Sequence, residues 1–156
     1  MATRTEIKMT LNEYGIYDIS VDPNTQDLLI EDSYDTDIVC ALFTDKRADS
    51  SQIAESSNRR GWNGDTVAAL TNYEIGSWIW LLSQERLTNQ TVNKAVSYAK
   101  DSLQWVLDLD LATRIDVQGS KDGIEGIQLL VKIYVEKDLV SQYTVNIWEN
   151  SMYKTI

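Results

Sequence analysis

The sequence predicts an α+β fold, helices packed on antiparallel strands, and three patterns predict it. Beyond Arg114, apolar and polar residues alternate with the period of two that a half-buried sheet requires. Val92, Ala95, Val96, Ala99, Leu103, Val106 and Leu107 recur at helical spacing, with Lys94, Ser97, Asp101, Gln104 and Asp108 on the opposite side. Ile75, Trp78, Ile79 and Leu82 form a second helical stripe. Trp80 and Leu81 occupy its other faces, so this run should be mostly buried. The 156 residues suit a single domain, 1–156, able to bury a core without disulfide or metal.

Taken in order, residues 1–13 are polar and are expected to be loosely held. Tyr17, Ile19 and Val21 alternate with Asp18 and Ser20 as a strand. Asp22-Pro23-Asn24 is a turn, and Leu28-Leu29-Ile30 is the returning strand of a hairpin. Asp32 to Asp37 reads as a solvated acidic connector; it lacks the glycine and closing glutamate of a calcium loop. Ile38 to Phe43 reads as strand by its branched residues, with a helical turn as the alternative. Cys40 within it is a small buried apolar residue, and a lone cysteine excludes an internal disulfide. Residues 50–58 form a polar surface loop.

The folding centre is placed at Arg59-Arg60-Gly61-Trp62-Asn63-Gly64-Asp65 and the helix after it, because three of the five tryptophans lie there. Gly61 and Gly64 permit a tight turn. Thr71-Asn72-Tyr73-Glu74 has the form of a capping box, with Leu70 and Ile75 as its hydrophobic staple, and starts a helix at about Asn72. Gly76 inside that helix implies close approach of another backbone. Thr88 or Thr91 caps the second helix, which runs to about Asp108. Strands follow at Arg114–Gln118, Ile127–Val135 and Tyr143–Ile147, with turns at Gly119–Gly123 and Glu136–Leu139, as a three-stranded meander with one apolar face.

Composition narrows function by exclusion. With no histidine, Ser-His-Asp and Cys-His catalysis and the usual zinc sites are absent. A net charge of −10 repels nucleic acid and anionic lipid and suits partners with basic patches. No signal-type apolar segment opens the chain, and no run is long enough to span a membrane. No P-loop or dinucleotide fingerprint occurs, and no cofactor is expected. Arg59 and Arg60 read as a structural pair, one guanidinium on Asp65 with its plane on Trp62, or as an interface. Glu74 beside Tyr73 and Trp78 is the acid a glycoside hydrolase would need; the capping box already explains it. Tyr98 and Trp105 form a side strip on the second helix that flanks the core or meets a partner. Tyr143, Trp148 and Tyr153 bring aromatic residues to the end of the chain. The strand through Thr144 is a candidate edge for completion by a neighbour.

Several ordered motifs resemble the Mu-type phage tail baseplate family. They are Leu42-Phe43-Thr44-Asp45-Lys46-Arg47-Ala48, then Arg59 to Asp65, then Gly76-Ser77 with Trp80-Leu81-Leu82, then Arg86 and Thr88. The opening strand ending in Asp27-Leu28 also fits, so the likeness covers roughly residues 16–118. That family is similar to the small, lysozyme-like wedge subunit of contractile-tail baseplates. In the broader wedge family a Glu-Pro-Arg triplet follows the long helix; here Ala112-Thr113-Arg114 keeps only the arginine. The resemblance implies a structural, non-enzymatic subunit of a phage or phage-derived contractile particle. Its implied partners are larger baseplate wedge proteins, the tail sheath subunit and central hub or spike proteins, with a β-edge that nucleates sheath. The interface candidates are Arg59, Arg60, Trp62, Asp65, Tyr98, Trp105, Arg114, Tyr143, Thr144 and Trp148. The alternatives are a peptidoglycan hydrolase of the tail and a transient acidic assembly adaptor.

Overall fold

A computed structural model of the chain describes residues 5–54, 57–66, 74–124 and 126–156. Their element order is β1 (Glu6–Ile7), β2 (Met9–Leu11), β3 (Tyr17–Ile19), β4 (Ile30–Glu31), α1 (Asp35–Phe43) and two 3₁₀ helices (Asn63–Thr66 and Trp78–Gln84). Then come α2 (Asn89–Asp108), β5 (Arg114–Asp122), β6 (Gly126–Val135), β7 (Asp138–Asn146) and β8 (Ser151–Lys154). The α+β class holds. Strands β5 to β8 form one antiparallel sheet in sequential order, and α2 packs across β5 and β6.

One face of the sheet is the core. Val117, Ile127, Leu129, Val131, Ile133, Tyr143, Val145 and Ile147 alternate onto it and are buried. They meet Val92, Ala95, Ala99, Leu103 and Val106 of α2, Ile38, Ala41 and Leu42 of α1, and Ile79 and Leu82 of the second 3₁₀ helix. The alternation read from the sequence therefore selects the buried face correctly. Thr88 caps α2, accepting from Thr91 N–H at 3.1 Å, while Thr91 Oγ1 accepts from Thr88 N–H at 3.4 Å. Gly119 lies inside β5, not in a turn: a Cβ there would sit 2.7 Å from both Val92 and Val96, so its absence lets α2 settle on the strand.

Four further expectations are corrected. Ile38 to Phe43 belongs to a helix whose first turn contains Asp35 and Asp37, so this part of the acidic connector is helical. Carboxylates in a first turn offset the partial positive charge of the exposed N–H groups, and Ile38, Val39, Ala41 and Leu42 then share the inward side. Cys40 is half-buried there, and burial raises its thiol pKa above the ordinary value. Residues 6–11 are paired strands, not a loose lead.

The helix from about Asn72 is the third correction. Leu70, Thr71, Asn72 and Tyr73 lie outside the described residues. Glu74 and Ile75 are not helical, and the helix begins at Trp78 as a 3₁₀ element capped by Ser77. Gly76 cannot continue a right-handed helix at φ +97°. The fourth is the meander, which has four strands. Asn150 takes φ 47° in the turn after Ile147, and β8 then pairs with β7 from Asn146 to Tyr143.

Tyr143 lies fully buried, and its hydroxyl donates to Asp35 Oδ1 at 2.7 Å. Burial, reinforced by the hydrogen bond to Asp35, raises its pKa well above the tyrosine range. The unfolded chain releases this proton near pH 10 and the folded chain only higher, so the folded state binds more protons in between. Stability from this group is complete below about pH 10 and is lost as pH rises beyond it. Urea melts from pH 8 to pH 11 should show a decline that Tyr143→Phe makes shallower; an unchanged slope would reject the assignment.

Candidate assembly interface

Arg59 and the segment 76–80 form a clamp on the segment 44–48. On one side, Ser77 N–H donates to the Thr44 carbonyl at 2.9 Å and Lys46 N–H donates to the Ser77 carbonyl at 3.1 Å. Gly76 makes this possible: a Cβ at that position would lie 2.4 Å from the Thr44 carbonyl oxygen. The backbone approach expected at Gly76 is thereby identified. Trp78 Nε1 donates to the Arg47 carbonyl at 3.0 Å, and Trp80 Nε1 to the Lys46 carbonyl at 2.9 Å. On the other side, Ala48 N–H donates to the Arg59 carbonyl at 2.9 Å, and Arg59 Nε returns a bond to the Ala48 carbonyl at 2.5 Å. Two tryptophans and one arginine thus serve backbone carbonyls that a solvated loop would leave to water.

The expected Arg-Trp-Asp arrangement exists with different partners. Arg60 pairs with Asp45 at 2.8 Å and lies 4.5 Å from the Trp80 ring, not on Asp65 and Trp62. Asp65 instead accepts from Ile75 N–H at 3.2 Å. Trp62 is 53% exposed, and its ring occupies the space beside Gly64, where a Cβ would come within 2.0 Å of it. Trp78 is half-buried and meets Tyr98 edge-on at 5.9 Å, with Lys46 Nζ 4.8 Å from its ring. Glu74 is exposed and pairs with Lys46 at 3.6 Å, so it does not sit as an acid in an apolar pocket.

Of the ten candidates, Arg60, Tyr98 and Trp148 come together on one grooved face. A hollow of about 370 Å³ lies between Arg60, Trp80, Ser83 and Trp148. A second of about 660 Å³ runs over Arg60, Trp80, Ser83 and Glu85 to Tyr98. A third of about 860 Å³ extends from Ser83 and Leu87 past Trp148 to Ile124 at the β5–β6 turn. Two of the cations here are paired, Arg60 with Asp45 and Lys94 with Glu85 at 2.7 Å, and Arg86 also lines the third hollow.

The other candidates lie elsewhere. Arg59 faces the clamp. Trp105 packs half-buried against the core. Arg114 opens β5, with its guanidinium 3.9 Å from the Tyr134 ring and its Nε 3.3 Å from Asp116. Tyr143 serves the core. Thr144 is not on an edge: it pairs with Leu130 of β6 and Tyr153 of β8. The edges are β5 and β8. Strand β8 is four residues long, whereas β5 presents nine residues whose ladder runs only to β6 among the described residues. Asp45, Trp80 and Ile124 are the positions the sequence reading missed. The motif containing Asp45 was visible, but nothing local marks it as Arg60's partner. Among the described residues no helix is long and apolar enough to cross a membrane, and no cluster of three side chains fits a metal.

The profile of the family described as "Phage protein GP46" matches residues 34–140, which include α1, the clamp, the groove-forming 3₁₀ helix, α2, β5 and β6. The chain is 39% identical to the "Baseplate protein gp46" of Escherichia phage Mu over 97 residues, covering 61% of this chain. The match spans 65% of that relative, just under two thirds of its length. It is 28% identical to the "Mu-like prophage FluMu protein gp46" of Haemophilus influenzae over 120 residues, covering 77% of this chain and 82% of that one. With its profile matched from Tyr34 to Val140, well over half of the sequence, this chain belongs to the phage protein GP46 family.

Proposed function

We propose that this chain is a structural subunit of a contractile-tail baseplate, held by larger wedge proteins and offering a strand edge to the first tail sheath subunits. The observation that carries the reading is the 39% identity to the Mu baseplate protein. Two features of the molecule support the finer roles. The grooved face around Arg60, Trp80, Tyr98 and Trp148 offers recessed aromatic surface of the kind that anchors protein partners. Strand β5 is a long open margin, and an extended segment added to it would satisfy backbone groups at no cost to the core. Arg114, at the start of β5, stands where the incoming strand would end. The chain works by being bound and does no chemistry of its own.

Particles produced without this chain should lack ordered sheath in electron micrographs; normal sheath would sink the reading. Presence in producing cells but absence from finished particles by mass spectrometry would favour an assembly adaptor. The edge is tested by proline at Ile115 and at Asp116 in separate variants. Successive N–H groups of a strand point to opposite sides, so one proline removes an outward donor and the other a ladder bond. The outward variant should keep its melting point near that of the parent while sheath docking fails. Sheath that docks normally on both variants, each still folded, would move the shared edge away from β5.

A further inference from the structure

The N-terminal strands are not part of the main sheet, and their pairing has an unusual consequence. Three short antiparallel ladders meet at one point: Lys8 N–H donates to the Leu29 carbonyl, Leu29 N–H to the Ser20 carbonyl and Ser20 N–H to the Lys8 carbonyl, at 2.8, 2.9 and 2.9 Å. Around this junction the directly opposed pairs are Ile7 with Ile30, Met9 with Ile19, and Val21 with Leu28. Residues flanking one strand position share a side, and so do directly opposed residues. All six aliphatic side chains therefore project from the same face. Met9 is half-buried, and the other five are 42–64% exposed.

A monomer rarely leaves so many contiguous aliphatic side chains in water without a binding role. The charge around them specifies the occupant. Residues 5–33 carry seven carboxylates against one lysine: by the same alternation Glu6, Asp18 and Glu31 lie behind the aliphatic face, the other four lie at its turns and ends, and Lys8 already pairs with Glu31 at 3.9 Å. Two copies brought face to face would juxtapose like charges, and an anionic lipid surface would be repelled. A partner with an apolar segment between lysines or arginines meets both the aliphatic face and its acidic surroundings. The junction also precedes the family-matched region, which starts at Tyr34.

We propose that this face docks an apolar, Lys/Arg-flanked segment of a different protein of the same particle, at a surface separate from the groove and from β5. The choice of particle rests on the baseplate reading above. The test is a photo-crosslinking residue at Ile30 in the full chain, expressed in cells that make the particle, with the same label at Ile124 for comparison. Crosslinks from Ile30 to one non-self protein, mapped to a basic-flanked apolar peptide, are the expected result. Ile30→Asp should lower incorporation into particles about tenfold, as for loss of an interface anchor, with an unchanged melting point. Crosslinks to a second copy, to lipid, or to nothing in particles that contain the chain would overturn the proposal. So would incorporation of folded Ile30→Asp at the parent level. If the chain is absent from the particles altogether, the baseplate reading fails, and the docking face is judged by the Ile30 crosslinks formed in the producing cells.

Discussion

Gly76→Val is expected to destabilise the fold by about 3–5 kcal/mol, from two separable causes. The backbone at φ +97° is costly for any residue with a Cβ, by roughly 1–3 kcal/mol, and most so for a branched one. The added Cβ would also lie 2.4 Å from the Thr44 carbonyl oxygen and 2.9 Å from its carbon, atoms of a backbone that cannot move aside alone. Segment 44–48 is bonded to Ser77, Trp78, Trp80 and Arg59, so displacing it loosens the whole clamp. Gly123→Val supplies the control: its φ is +63°, but nothing lies within 4 Å of a Cβ there. The difference between the two urea midpoints reports the contact with Thr44 together with the greater backbone strain at φ +97° than at +63°, provided the m-values agree. Equal losses would mean that the clamp yields easily and is not the folding centre.

Leu103→Ala should cost about 2–5 kcal/mol, the range for removing a buried aliphatic side chain that leaves a cavity. Leu103 is 1% exposed in the middle of α2, where the helix lies against the sheet and α1. Leu109→Ala, at the C-terminal end of the same helix and 55% exposed, should change stability by only about 0.5 kcal/mol. A Leu103→Ala variant that melts with the parent would contradict the packing of α2 on the core. Trp78, expected from its spacing to be a core residue, should behave between these two. It is half-buried, and its loss removes an edge contact with Tyr98 and the bond to the Arg47 carbonyl more than core volume.

These contrasts mark where local pattern stopped being informative. The stripe of α2, its Thr88 cap and the inward residues of β6 and β7 were legible because each depends on neighbours within a few positions or on one repeating period. The length of Ile38 to Phe43 is compatible with strand or helix, and only packing against α2 and the sheet chooses helix. Arg60 had an acid and a tryptophan close by in sequence, Asp65 and Trp62, yet uses Asp45 and Trp80. The clamp brings the latter pair nearer in space. The edge strand was misplaced because β8 is four residues long and carries no alternation, so its pairing with β7 has no local signal.

By itself, then, the sequence determined the class of fold, the buried face of the long strands, the amphipathic helix, and, through its ordered Arg-Trp-Gly motifs, the family. Tertiary structure alone decided which carbonyls the tryptophans serve, which acid Arg60 meets, that β5 and β8 and not the strand of Thr144 are the edges of the sheet among the described residues, and that the N-terminal aliphatic residues share one exposed face. The first set follows from periodicity and capping, which act over a few residues. The second follows from contacts between segments far apart along the chain, and these form only when the whole core closes.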